Sequence, residues 1–95
     1  MTILETLHLR MAGEELDDLV GLVRSAAGTH GPSLPVHIFC HSSVQGDLLV
    51  HLQRDEPHSP AGPSEMGLRL ASLLRFHGLV EHSVWVRQEE SRSGM

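Results

Sequence analysis

Hydrophobic residues recur along the chain with two periods, which predict four strands and two helices. Between residues 2 and 11, Leu7, Leu9 and Met11 alternate with polar side chains, the period-two pattern of a half-buried strand. Residues 36–42, 47–54 and 79–89 are the other predicted strands. Residues 13–27 and 65–77 carry apolar side chains at helical spacing and predict the two helices.

Each predicted helix has an apolar stripe and a signal at one end. The first stripe comprises Leu16, Leu19, Val20, Val23 and Ala27. Gly28 is predicted to end this helix in a left-handed conformation, and Ser64 to cap the N-terminus of the second helix. The inward stripe of the second helix comprises Met66, Leu70, Leu73, Leu74 and His77. We expect Leu19 and Leu73 to be buried between helix and sheet.

The loop between the second and third strands sets their register. A three-residue loop from Val44 to Gly46 places Gly46 in the left-handed position of a type I turn with a bulge. The resulting cross-strand pairs are Ile38 with Leu52, Cys40 with Val50, and Phe39 with His51. Apolar and polar side chains then separate onto opposite faces, whereas a two-residue loop would mix them. Cys40 is accordingly expected to be a buried, inert thiol.

The element order strand, helix, strand, strand, helix, strand predicts a fold. It indicates a ferredoxin-like α+β domain with βαββαβ topology and a four-stranded antiparallel sheet in the order 4-1-3-2. Both helices are expected on one face of the sheet. We expect residues 1–89 to form this single domain and residues 90–95 to form a flexible C-terminal tail.

The opposite face of the predicted sheet carries the candidate functional residues. They are His8, Arg10, His37, Phe39, His41, Leu49, His51, Trp85 and Arg87. A face that mixes histidine, aromatic and arginine side chains is typical of burial against a partner or a ligand, and a homodimer interface is the simplest interpretation. Glu81, at the start of its strand, is the one carboxylate expected near these residues.

Metal binding and nucleophilic catalysis are not expected. His37 and His41 have HxxxH spacing, but four residues on a strand span about 13 Å, too far to bind one ion. A site built from His8, His51 and a third ligand across the sheet stays open as an alternative, although no carboxylate on this face supports it. His82 is expected to be half exposed at the start of its strand. No acidic residue is placed to orient His41 beside Ser42 or Ser43.

Composition excludes several classes of protein. The 95 residues include seven arginines, twelve acidic residues and eight histidines, with a net charge of -5, which argues against nucleic-acid binding. One cysteine excludes an internal disulfide framework, and no apolar run is long enough to span a membrane. The N-terminal segment lacks the pattern of a signal peptide, so we expect a cytoplasmic protein.

The βαββαβ order and the face that carries His8, His51 and Trp85 resemble the dimeric α/β-barrel superfamily. Within it, the chain is most similar to small proteins related to the antibiotic biosynthesis monooxygenases, over residues 3–88. In that family two ferredoxin-like sheets pack face to face and enclose an aromatic substrate, which is oxidised without a metal or flavin. The resemblance implies a homodimer without a cofactor. The resemblance is one of topology, and no catalytic residue is carried over. The family often has a tryptophan at the end of its third strand, and this tryptophan is absent from LVHLQRD, residues 49–55.

Two functions remain open at this point. In the first, a homodimer binds a small aromatic or apolar molecule in a cavity lined by histidine and tryptophan, and acts as a monooxygenase-like enzyme through histidine acid–base chemistry. In the second, the protein is a non-catalytic binding or regulatory module, and its sheet face is an oligomer interface alone.

Overall fold

The computed structural model describes residues 2–10, 16–28, 35–55 and 62–88. Its elements are β1 (Thr2–Arg10), α1 (Leu16–Gly28), β2 (Val36–Cys40), β3 (Leu48–Asp55), α2 (Glu65–Leu74) and β4 (Leu79–Val86). The strands form one sheet in the order β2-β3-β1-β4, and all neighbours are antiparallel. The predicted ferredoxin-like α+β fold and strand order are confirmed. The predicted start of the first helix and the predicted tail lie outside the described residues.

The core lies between the helices and one face of the sheet. Side chains on β1 alternate strictly, so that Ile3, Leu7 and Leu9 are buried and their neighbours reach the other face. Other buried apolar residues from β3 and the helices are Leu48, Val50, Leu52, Leu19, Val23, Leu70, Ala71 and Leu74. Burying one leucine side chain stabilises the fold by about 1.5–3 kcal/mol, so this layer holds both helices on the sheet. Neither described helix is long and apolar enough to cross a bilayer.

The buried side of α2 differs in part from the predicted stripe. Leu70 and Leu74 are buried as expected, but Gly67 and Ala71, one helical turn apart, also face the sheet. Leu73 is therefore turned to the edge of the contact and is half-buried, contrary to prediction. The helix also ends at Leu74, earlier than predicted.

The two predicted helix caps have different outcomes. Ser64 caps α2 as predicted, because its Oγ accepts a hydrogen bond of 2.9 Å from the backbone N–H of Gly67. The predicted left-handed cap at Gly28 is wrong. The described glycines with positive φ are Gly46 and Gly62, and Gly28 is the last residue of α1.

A buried carboxylate, which the sequence analysis did not identify, joins the sheet to the start of α2. The Glu5 side chain is fully buried; its Oε1 accepts hydrogen bonds from Arg54 Nη1 at 2.8 Å and from Ser64 Oγ at 2.6 Å. Its Oε2 lies 2.5 Å from His82 Nε2. The His82 side chain is only 9% exposed and not half exposed as expected. We call Glu5, Arg54, Ser64 and His82 the Glu5 cluster.

The hairpin between β2 and β3 is wider than predicted. Its loop runs from His41 to Asp47, and Gly46 has the predicted left-handed conformation, with φ of 88°. The His41 imidazole stabilises the extra loop residues, because its Nδ1 accepts hydrogen bonds from the backbone N–H groups of Ser43 at 3.0 Å and Val44 at 2.9 Å.

This wider loop shifts the register by two residues. The observed cross-strand pairs are Val36 with Leu52, His37 with His51, Ile38 with Val50, Phe39 with Leu49, and Cys40 with Leu48. Each side chain stays on its predicted face, but its partner changes. Cys40 is exposed and not buried, because it ends a strand at the edge of the sheet.

Candidate functional site

The sheet face that the helices leave uncovered, here the open face, is organised in rows across the four strands. The first row is Phe39, Leu49, His8 and Glu81. The second row is His37, His51, Thr6 and Ser83. The third row is Gln53, Leu4 and Trp85. These rows hold six of the predicted site residues, namely His8, His37, Phe39, Leu49, His51 and Trp85.

The three other predicted site residues lie at the ends of the open face. Arg10 ends β1 opposite Leu79, and Arg87 follows β4. His41 lies in the hairpin loop, where its Nδ1 is occupied by the backbone hydrogen bonds described above. His41 therefore has a structural role in the hairpin, which the sequence analysis did not anticipate.

His8 lies between two carboxylates at one end of the open face. Its Nε2 is 3.0 Å from Asp47 Oδ2, and its Nδ1 is 3.9 Å from Glu81 Oε2. Arg10 Nη1 donates a hydrogen bond of 3.0 Å to the other oxygen of Glu81. The Asp47 side chain is 14% exposed, so the His8–Asp47 hydrogen bond is partly shielded from water. Asp47 was not among the predicted site residues, although it has the same parity as Leu49 and His51 and so belongs to the same side of the sheet.

A pocket of about 200 Å³ adjoins this hydrogen-bonded pair. Its lining residues are His8, Phe39, Cys40, His41, Asp47, Leu48 and Leu49. Apolar walls with a few polar groups are typical of sites for small organic molecules. The pocket thus brings the polar His8–Asp47 pair next to the aromatic ring of Phe39.

A second pocket, of about 320 Å³, lies at the opposite end of the open face. Its lining residues are Thr2, Leu4, Gln53, Trp85, Val86 and Arg87. Trp85 is 60% exposed, and its Nε1 donates a weak hydrogen bond of 3.4 Å to Thr6 Oγ1. The predicted residues Trp85 and Arg87 therefore lie apart from His8.

His51 occupies the middle of the open face, between the two pockets. The Phe39 ring packs against its imidazole, with centroids 5.0 Å apart and planes inclined by 58°. Partial burial, and secondly the charge of nearby His37, lower the pKa of His51 below 6.5. His51 is thus neutral at neutral pH.

Within the described ranges, no three or more histidine, cysteine, aspartate or glutamate side chains form a group that could hold a metal ion. The described histidines are distributed over different contacts: His8 with Asp47, His41 with its own loop, and His82 with Glu5.

Comparison with known proteins identifies the fold. No protein-family model and no curated protein matches the chain. Among solved structures, the chain is similar to a variant of SnoaB, a cofactor-independent oxygenase from Streptomyces nogalater. The two sequences are 11% identical, the similarity covers 96% of this chain and 97% of that chain, and the TM-score is 0.62. A second SnoaB structure has 11% identity, 96% and 95% coverage and a TM-score of 0.54. The de novo designed protein Foldit4 has 16% identity, 93% and 100% coverage and a TM-score of 0.60.

These similarities confirm the predicted resemblance at the level of the fold. This chain has a four-stranded antiparallel sheet covered by two helices on one side, and its similarity to SnoaB extends over nearly the whole of both chains. Because a designed protein has the same fold, the fold by itself does not specify a function. The function therefore depends on the side chains of the open face.

Proposed function

We propose that two copies of the chain pack their open faces together and enclose a small aromatic molecule, which the protein oxidises without a cofactor. The observation that carries this proposal is the pocket in which the His8–Asp47 pair adjoins Phe39 and Leu49. The similarity in fold to SnoaB, a cofactor-independent oxygenase, supports it.

The exposed apolar side chains of the open face support dimerisation. Phe39 is 48% exposed, Leu79 62% and Trp85 60%. All three lie on one side of the sheet, and the helices cover the other side. Packing this face against a second copy would remove their apolar surface from water and would close both pockets.

The His8–Asp47 pair supports acid–base chemistry. A carboxylate can only accept hydrogen bonds, so His8 Nε2 carries the hydrogen in this pair, and in the neutral imidazole Nδ1 keeps a lone pair. The distance of 3.9 Å from Nδ1 to Glu81 is too long for a hydrogen bond. His8 is therefore the group that accepts a proton from a bound ligand, while Asp47 orients the ring and stabilises the imidazolium.

The proposed step begins with a hydroxylated aromatic molecule. Its O–H bond breaks, the proton moves to His8 Nδ1, and the electron pair remains on the phenolate oxygen. The electron-rich phenolate is then oxidised by dioxygen: for 1-naphthol, one oxygen atom enters the ring to give 1,4-naphthoquinone and the other leaves as water. Dioxygen is the only co-reactant that this balance requires.

Dimerisation is tested with two phenylalanine variants. Trp85 is the sole tryptophan and lies on the open face, so its emission should shift to shorter wavelength as the wild-type protein dimerises with rising concentration. Phe39→Glu should abolish this shift and give a monomer in sedimentation. Phe76→Glu is the matched control, because Phe76 is 87% exposed and precedes β4 outside the open face. A wild-type protein that stays monomeric at high concentration would refute the proposed dimer.

Oxidation is tested with 1-naphthol as the probe. The wild-type protein should bind it, with quenching of Trp85 fluorescence, and should consume dioxygen in a Clark electrode. His8→Gln should lose dioxygen uptake with an unchanged melting temperature, and His58→Gln serves as a control outside the described residues. Binding without dioxygen uptake in the wild-type protein would contradict the oxidation step and favour a non-catalytic binding module.

A further inference from the structure

His37 and His51 form a direct cross-strand pair on the open face. The observed register places them opposite each other on β2 and β3. Side chains that face each other in an antiparallel pair have Cβ atoms about 4.5–5.5 Å apart. Two imidazoles at this separation can turn one nitrogen each towards a shared point, which the HxxxH pair His37 and His41 cannot do along a single strand.

Within the described part of the chain, no hydrogen bond or ion pair uses the ring nitrogens of this pair. Three other histidines each use a ring nitrogen in a hydrogen bond: His8 with Asp47, His41 with the hairpin backbone, and His82 with Glu5. Neither His37 nor His51 forms a hydrogen bond or an ion pair with a described residue. Their lone pairs are therefore available to a ligand.

A neighbouring aromatic ring also orients one imidazole of the pair. The Phe39 ring packs on one side of His51 and restricts its orientation. A neutral imidazole is the form that binds divalent transition metals, of which Zn²⁺, Cu²⁺ and Ni²⁺ suit this ligand.

We propose that His37 and His51 together chelate one divalent transition-metal ion of the zinc class per chain. Each imidazole supplies one nitrogen at a Zn–N distance of about 2.0–2.1 Å, and water completes the coordination. Because both ligands come from one chain, this site does not depend on the proposed dimer or on the proposed oxidation. It adds a metal-binding function at the centre of the open face, between the two pockets.

Zn²⁺ binding to the tag-free protein tests the proposal by isothermal titration calorimetry at neutral pH in a buffer that does not bind metal. We expect one Zn²⁺ per chain. His37→Asn and His51→Asn should each weaken binding by about tenfold or more, since loss of even an outer-shell partner costs roughly 10–100-fold. His58→Asn, outside the described residues, is the matched control and should retain wild-type affinity.

The outcomes separate this inference from the proposed function. Absence of Zn²⁺ binding, or binding unchanged in both His37→Asn and His51→Asn, would overturn the metal site. Sedimentation and the 1-naphthol assay in the presence of a chelator test the dimer and the oxidation independently. His37 is exposed, so His37→Asn should keep the wild-type melting temperature without metal, and Zn²⁺ should raise that temperature in the wild-type protein alone.

Discussion

Replacement of Gly67 by alanine should destabilise the protein, although alanine is the better helix former. In an exposed helix interior, this substitution stabilises by about 1 kcal/mol. At Gly67, however, an added Cβ would lie 1.7 Å from Glu5 Oε2 and 2.4 Å from Glu5 Cδ. Atoms cannot approach that closely, so either the carboxylate or the start of α2 must move.

The expected loss of stability in Gly67→Ala follows from the interactions that the Glu5 carboxylate would lose. Glu5 is fully buried, and its oxygens accept hydrogen bonds from Arg54 and Ser64 and contact His82. Breaking a buried charged pair costs about 3–5 kcal/mol, because an uncompensated charge remains in the interior. After subtraction of the helix-propensity gain, we expect Gly67→Ala to cost about 2–4 kcal/mol. The total stability of a small domain is about 5–15 kcal/mol, so the loss is large.

The matched control is Gly21→Ala in α1. Gly21 is exposed, and a Cβ added there meets no atom within 4 Å. Gly21→Ala should therefore raise the melting temperature by about 4–8 °C, whereas Gly67→Ala should lower it by roughly 10 °C or more. Urea unfolding gives the corresponding free energies. In a Glu5→Ala background the obstacle is gone, and the cost of Gly67→Ala should disappear. If Gly67→Ala stabilises the wild-type protein as much as Gly21→Ala does, the described contact between α2 and Glu5 is wrong.

Three further predictions test the core, the helix cap and the open face. Leu19→Ala and Leu74→Ala should each lower the free energy of unfolding by about 2–5 kcal/mol, measured in urea. Leu73 is half-buried, so Leu73→Ala should lower it clearly less. Equal losses at Leu73 and Leu74 would contradict the observed orientation of α2. Ser64→Ala should cost about 1–2 kcal/mol through loss of the N-cap, and a cost near zero would argue against the Glu5 cluster. The pKa of His51 is lowered in the folded state, so the unfolded chain takes up more protons as the pH falls below 6.5, and the free energy of unfolding should decrease there. His51→Gln should reduce this decrease between about pH 7.5 and pH 5.5. An unchanged pH dependence in this variant would refute the lowered pKa of His51.

The fold could be predicted because it depends on which face each side chain occupies. The alternation of Leu7 and Leu9 with polar residues, and the stripe that contains Leu19 and Val23, require a sheet with one covered face. Connections between such elements allow few topologies, and the observed strand order is the predicted one. The N-cap at Ser64 depends on local chemistry alone, and it too was predictable from sequence.

The Glu5 cluster was harder to anticipate from a hydrophobic pattern. Glu5 has the same parity on β1 as Ile3 and Leu7, so the alternation itself placed it inside. A buried carboxylate needs partners, however, and these are Arg54 and His82, far apart in the sequence. Their convergence becomes apparent once the strands are paired. The sequence nevertheless contained a signal for the cluster. Glu5 occupies a position that the alternation assigns to the core, and a charged side chain there requires partners.

The candidate site shows that the face of the sheet on which a side chain lies can be predicted from the sequence, whereas the residue that it contacts cannot. The hairpin register moved by two residues, an even number, so His37, Phe39 and His51 remained on the open face as predicted. The same shift replaced Phe39 by His37 as the residue opposite His51. The His41 side chain accepts backbone hydrogen bonds from Ser43 and Val44 and thereby stabilises the observed loop. Because these two hydrogen bonds stabilise the loop, His41→Ala should loosen the hairpin and disturb both the His8–Asp47 pair and the His37–His51 pair, while the packing of α2 against β1 and β4 remains.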